Sequence, residues 1–174
     1  LIIDNYNKGV KVTYQVYTPE EIEQNSSLGC VQLFYYPAET PNAKTAIVIP
    51  GNALTITSEM GEGGSTAYEL HKRGYAVFVL RYRTFLDLGN NAPLQDLARA
   101  VQLVTSLDEE LSIQTQDYAL VGYSSGGQLA GVFANKERGY GHYGVARPGA
   151  LLLGYSVVNF SEVKIAYQAF MDTG

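Results

Sequence analysis

Residues 117–131, DYALVGYSSGGQLAG, run a short apolar segment into a serine enclosed by glycines, and the fold turns on how that junction is read. Tyr118 to Tyr123 (YALVGY) is apolar, short and preceded by the polar Gln116 and Asp117, the signature of a buried strand. From Ser125 to Lys136 the period changes, and Leu129, Val132 and Phe133 fall on one helical face. A strand that becomes a helix within one residue forces that residue into a tight, strained turn and lifts its side chain clear of the sheet. Ser124 occupies that position. Gly122 and Gly126 stand two residues to either side, where a Cβ would collide with the turn, and complete the G-x-S-x-G pattern of a nucleophile elbow. The N–H of Ser125 opens the helix and points where an oxyanion would form, and the helix N-terminus favours negative charge there. The competing reading is a glycine-rich turn carrying a passive serine.

Outside this stretch the composition is that of an ordinary folded domain. With 174 residues, 46% of them hydrophobic and 17% charged, the chain is long enough for one sizeable core, and residues 1–174 are expected to form a single domain. A net charge of −5 argues against a nucleic-acid partner, which selects a basic face. The lone Cys30 cannot form an internal disulfide and reads as a small half-buried hydrophobe beside Val31. No apolar run approaches the ~18 residues of a membrane span and no leader is visible, so a cytoplasmic location is the default. The first residue is Leu1, which suggests a true N-terminus elsewhere. No His, Cys and carboxylate cluster has ligand spacing, so neither metal nor other cofactor is implied.

In chain order, Val10 to Tyr17 alternates like a strand with one wet face, and Cys30 to Tyr36 is a second strand stopped by Pro37. The polar, acidic Glu20 to Gly29 between them is expected to be a solvated loop. Thr45 to Ile49 reads as a central strand leaving through the turn Pro50-Gly51-Asn52-Ala53. Thr66 to Arg73 is predicted helical and closed by Gly74, with His71 exposed at its end. Tyr75 to Leu80 is a buried strand. Pro93 opens a helix in which Leu94, Leu97, Ala98, Val101 and Val104 or Thr105 recur at helical spacing. Ala150 to Val158 (ALLLGYSVV) is a last apolar strand.

Strands apolar on both faces, alternating with helices, predict an α/β fold with a mostly parallel sheet covered on both sides. Gly61, Gly63 and Gly64 do not spell a dinucleotide fingerprint, since Thr66 takes the third glycine position, and lack the Gly-Lys-Ser/Thr ending of a phosphate loop.

Taken together, AIVIPGNALTITSEMGEGGSTAYELHKRGYAVFVLRYR, PLQDLARAVQLV, YALVGYSSGGQLAG and RPGALLLGYSVV resemble the α/β-hydrolase superfamily, and within it the bacterial group of acetyl esterases and acetyl-xylan-esterase-like enzymes. The resemblance runs from about Ala46 to Val158. It implies a three-layer α/β/α hydrolase fold of which this chain carries the first six or so strands. It also implies a serine carboxylic-ester hydrolase acting on small acyl esters through an acyl-enzyme on Ser124. That group places glycines after its third strand, two of whose N–H groups face the oxyanion. Here the matching positions are Asn52 and Ala53, which keep the N–H groups but add Cβ atoms.

A serine hydroxyl needs a base, and the base an orienting carboxylate, in the chain order Ser, Asp/Glu, His for this fold. The two histidines, His71 and His142, each follow a helix that carries the chain some ~18 Å from the Ser124 edge of the sheet, so neither is expected to reach it. Glu162 and Asp172 follow the last strand without matching family positions, and Asp87, also on the correct side, reads first as a loop carboxylate. The resemblance puts the acid and the histidine after two further strands, beyond Gly174. An apolar edge strand is likewise what folded sheets avoid, so a neighbour is expected beside 150–158, from the remainder of a larger core, a second chain or a homo-oligomer. Two other readings stay open: a catalytically silent module of the same fold, and a peptidase sharing it.

Overall fold

The computed structural model describes residues 1–51, 58–84 and 91–156. In chain order these form α1 (Ile2–Asn7), β1 (Thr13–Gln15), α2 (Pro19–Gln24), a 3-10 turn (Ser26–Cys30), β2 (Gln32–Tyr36) and β3 (Ala43–Ile49). A π-helical turn (Glu59–Gly63) leads into α3 (Gly64–His71), then β4 (Ala76–Arg81), α4 (Ala92–Ser106) and α5 (Asp108–Leu111). β5 (Ile113–Tyr123), α6 (Ser124–Phe133) and β6 (Ala150–Gly154) complete the described elements. The strands make one sheet in the order β1-β2-β4-β3-β5-β6. β1, β2 and β4 pair antiparallel, while β4, β3, β5 and β6 are parallel neighbours.

The parallel strands are apolar on both faces because both are covered. Ile47 and Ile49 of β3 point into a cluster with Phe78, Leu80, Leu120 and the α4 and α6 residues Leu97, Val101, Val104, Leu129 and Phe133. Ala46 and Val48 face the other side, packing with Val77, Val79, Val121 and Ala67 of α3. The result is three layers, as the sequence predicts. Across the β2–β4 pairing Tyr35 stands opposite Phe78, and their rings stack at 4.6 Å, a contact worth ~0.5–1.5 kcal/mol beyond the area it buries.

Four local expectations need correction. Glu20 to Gly29 is no open loop: the Thr18 hydroxyl accepts the Glu21 N–H while the Glu21 carboxylate accepts that of Thr18, a capping box that with Pro19 starts α2. Val12, Tyr14 and Val16 are buried as alternation requires, but the ladder with β2 spans only Thr13–Gln15. Cys30 is exposed, its thiol donating to the Ser27 carbonyl, because the 3-10 turn points it outward and β2 begins after it. The His71 side chain is only 9% exposed, its Nε2 3.9 Å from Glu39, because the end of α3 packs beside the β2–β3 connection.

At the far edge, the β6 residues Leu151, Leu152 and Leu153 are 40–50% exposed. β6 is an outer strand of the sheet among the described residues.

Candidate active site

β5 ends at Tyr123 in extended conformation, with φ −120° and ψ 140°, and α6 begins at the next residue. Ser124 has φ +50°, in the left-handed region that non-glycine residues avoid. Holding it there costs ~1–3 kcal/mol, a strain that persists only where the surroundings impose it. Here they do. A Cβ on Gly122 would come within 2.6 Å of the Gly126 carbonyl and 2.9 Å of Ala130 Cβ. One on Gly126 would overlap the Ile49 carbonyl and lie 2.5 Å from that of Pro50. Side chains are therefore barred from both positions by backbone, which cannot yield.

The site lies at the carboxyl ends of β3, β4, β5 and β6, where Ile49 pairs with Gly122 and Tyr123 with Gly154. This is the side on which parallel sheets bind ligands. A Cβ on Gly51 would sit 2.9 Å from Ser124 Cβ and 3.0 Å from Glu62 Oε2, so the turn after β3 presses directly on the serine. Ser125 stands at the opening of α6, as its sequence position implies. Asn52 and Ala53 lie outside the described residues, as do Asp87, Glu162 and Asp172.

Three side chains that the sequence reading does not single out bind the segments next to the serine. Glu62, from the π-helical turn, accepts the Gly51 N–H at 2.6 Å and the Tyr155 hydroxyl at 2.5 Å. Tyr82, just past β4, donates to the Pro50 carbonyl at 2.9 Å and takes a hydrogen bond from the Ser125 side chain. Tyr155, after β6, sets its ring 5.5 Å from that of Tyr123, whose hydroxyl is bonded by Thr66 at 2.9 Å. Burial pushes the Tyr82 phenol well above its ordinary range, and the bond to Glu62 pushes Tyr155 up to about 12. Both are thus hydrogen-bond donors at neutral pH. The sequence signals for them are slight: a glutamate within a glycine cluster, and tyrosines ending apolar strands.

The histidines lie elsewhere. His71, near Glu39, belongs to the amino-terminal edge of β3, the edge opposite Ser124. His142 is exposed in the segment between α6 and β6, beyond ten residues of helix leading away from the serine.

A serine held at positive φ where a parallel strand turns into a helix defines the α/β-hydrolase fold, and solved structures agree. An acetyl ester-xyloside bifunctional hydrolase from Caldicellulosiruptor lactoaceticus superposes with a TM-score of 0.71 at 23% identity, over 86% of this chain and 58% of that one. An α/β-hydrolase enzyme from a Medee basin deep-sea metagenome library gives 0.65 at 26% identity, over 74% and 53%. An acetylxylan esterase of Xylanibacter ruminicola is 28% identical over 153 residues, 87% of this chain. The BD-FAE family profile matches residues 32–142, and the chain belongs to that family. It spans 30% of the length of the Xylanibacter esterase and somewhat over half of each solved chain.

Proposed function

We propose that this protein is a serine carboxylic-ester hydrolase acting on small, acetyl-type esters. The observation that carries the reading is Ser124 at φ +50°, fixed between Gly122 and Gly126 at the carboxyl edge of the sheet. Its Oγ attacks the ester carbonyl as a base takes the hydroxyl proton, giving a tetrahedral oxyanion. The N–H of Ser125 and those of Asn52 and Ala53 receive that charge, each donor worth ~3 kcal/mol where such donors have been removed in other enzymes. Collapse expels the alcohol with the returned proton, and water releases the acid from the acyl-enzyme. Relatives named as an acetylxylan esterase and an acetyl ester-xyloside hydrolase support the acetyl ester as substrate. The base, on this reading, comes from outside these 174 residues.

The test is incubation of the full-length protein with p-nitrophenyl acetate and with a fluorophosphonate. Turnover together with an adduct on Ser124 supports the reading, and the absence of both refutes it. A second reading, a silent module of the same fold, is favoured by the placement of both His71 and His142 away from Ser124. It predicts no turnover in the full-length protein.

A further inference from the structure

Asn42, Asn91, Ser112, Asp117, Ser124 and Tyr155 are the non-glycine residues with positive φ among the described residues. The first five carry small polar side chains, which that backbone tolerates best. Tyr155, at φ +36°, is bulky and strained there. Burial does not offset the strain, since Tyr155 remains 68% exposed. Strained residues of this kind persist where their surroundings impose them, and they gather at sites that hold ligands.

The surroundings of Tyr155 do impose it. β6 pairs with β5 as far as Gly154 opposite Tyr123, so Tyr155 leaves the sheet alongside Ser124. A Cβ on Gly154 would lie 2.5 Å from Tyr123 Cδ1, so the Tyr123 ring fills the space of a side chain there. That ring is anchored by Thr66 at its hydroxyl, and the Tyr155 ring rests against it at 5.5 Å. Glu62 Oε1 accepts the Tyr155 hydroxyl at 2.5 Å, and its other oxygen accepts the Gly51 N–H. Gly51 abuts the serine, where a Cβ would lie 2.9 Å from that of Ser124. Two contacts thus fix an exposed aromatic ring beside the serine, with a carboxylate at its rim.

An acetyl group is too small to cover a phenol ring, so on an acetyl ester the group that meets it is the alcohol. The alcohol that suits it is a sugar. A pyranose with equatorial hydroxyls presents an apolar C–H face to the ring and hydroxyl donors at its edge to Glu62. An alkyl chain would strip water from that carboxylate and give it no donor in return. We infer that Tyr155 is a specificity-determining residue, its ring the platform on which the sugar of an acetylated glycoside lies as the ester meets Ser124. The inference rests on the ester-hydrolase reading above.

The experiment measures kcat/KM by acetate release from a methyl mono-O-acetyl-β-D-xylopyranoside, ethyl acetate and hexyl acetate, with thermal midpoints. The proteins are full-length wild type, Tyr155→Leu, Tyr155→Phe and Tyr68→Leu. Tyr68 is the comparison, an exposed tyrosine in the regular helix α3. Tyr155→Leu is expected to lower the ratio of xyloside to ethyl acetate activity roughly tenfold. Tyr155→Phe keeps the ring without its anchor and lowers the ratio less, and Tyr68→Leu leaves it unchanged. A ring that only stabilises the fold would instead lower the thermal midpoint and both activities in proportion. An unchanged ratio in Tyr155→Leu, or a loss as large in Tyr155→Phe, overturns the inference, while ethyl acetate turnover leaves the hydrolase reading standing. A loss confined to hexyl acetate assigns the ring to an alkyl chain and overturns it too. A wild type that turns over none of the three overturns both.

Discussion

The backbone N–H of Gly51 donates to Glu62 Oε2 at 2.6 Å, joining the turn after β3 to the π-helical turn that precedes α3. The second oxygen of the same carboxylate takes the Tyr155 hydroxyl, so one side chain ties together the segments leaving β3 and β6, which flank β5 and its serine. Glu62→Gln leaves one oxygen for two donors and turns an NH2 group toward the other. Hydrogen bonds to charged groups contribute ~1.5–3 kcal/mol, so kcat/KM for p-nitrophenyl acetate should fall by roughly tenfold or more. An unchanged value would show that the carboxylate does not organise the site.

Not every glycine near the serine is there for the same reason. Gly126→Ala drives a methyl into backbone carbonyls and should cost more than ~3 kcal/mol in urea unfolding, or prevent folding. In the same helix, the nearest atom to a Cβ on Gly131 is Leu153 Cδ1 at 3.9 Å, so Gly131→Ala should stabilise by up to ~1 kcal/mol through helix propensity. Opposite signs in one helix separate steric need from backbone entropy.

The Arg83–Asp96 pair predicts a stability loss of a different kind. Asp96→Ala leaves a guanidinium 7% exposed without its carboxylate, and breaking a buried pair from one side costs ~3–5 kcal/mol. Glu69, which pairs with Lys72 and Arg73 on the solvent face of α3, is the contrast. Its alanine variant should leave the denaturant midpoint essentially unchanged.

Alkaline pH should unfold the protein through its phenols. Burial pushes Tyr35 up to about 12, with Tyr14 adding to the shift, and raises Tyr17, Tyr82 and Tyr118 further. Because the folded values lie above the unfolded one near 10, the stabilisation is whole below about pH 10 and is lost as pH rises past 12. Tyrosinate absorbance from this group should therefore appear together with loss of helical circular dichroism. Ionisation of all 14 tyrosines in a protein that stays folded would contradict it.

Much of this architecture is legible in the chain because it is periodic. TAIVI and YALVGY are apolar without alternation since β3 and β5 are covered on both faces, and the change of period at Ser124 marks the end of β5 to the residue. Short or edge elements are read less well. The acidity of Glu20 and Glu21 suggests a loop, yet the same residues favour the first turn of a helix, and the capping box decides for α2. His71 looks like a solvated helix end because its burial comes from the distant Glu39 connection. The contacts that fix the turn after β3, beside Ser124, are the least visible part. Glu62 meets Gly51 eleven residues away and Tyr82 meets Pro50 thirty-two away, contacts set by strand order that no local pattern records.

Whether Ser124 is a nucleophile is decided by active-site labelling. Full-length protein and its Ser124→Ala variant are treated with a fluorophosphonate, digested and analysed by mass spectrometry. One stoichiometric adduct is expected on the peptide carrying Ser124 in wild type and none in the variant, with p-nitrophenyl acetate turnover lost in step with labelling. An unlabelled Ser124 in folded wild type, or turnover that survives in the variant, would contradict it.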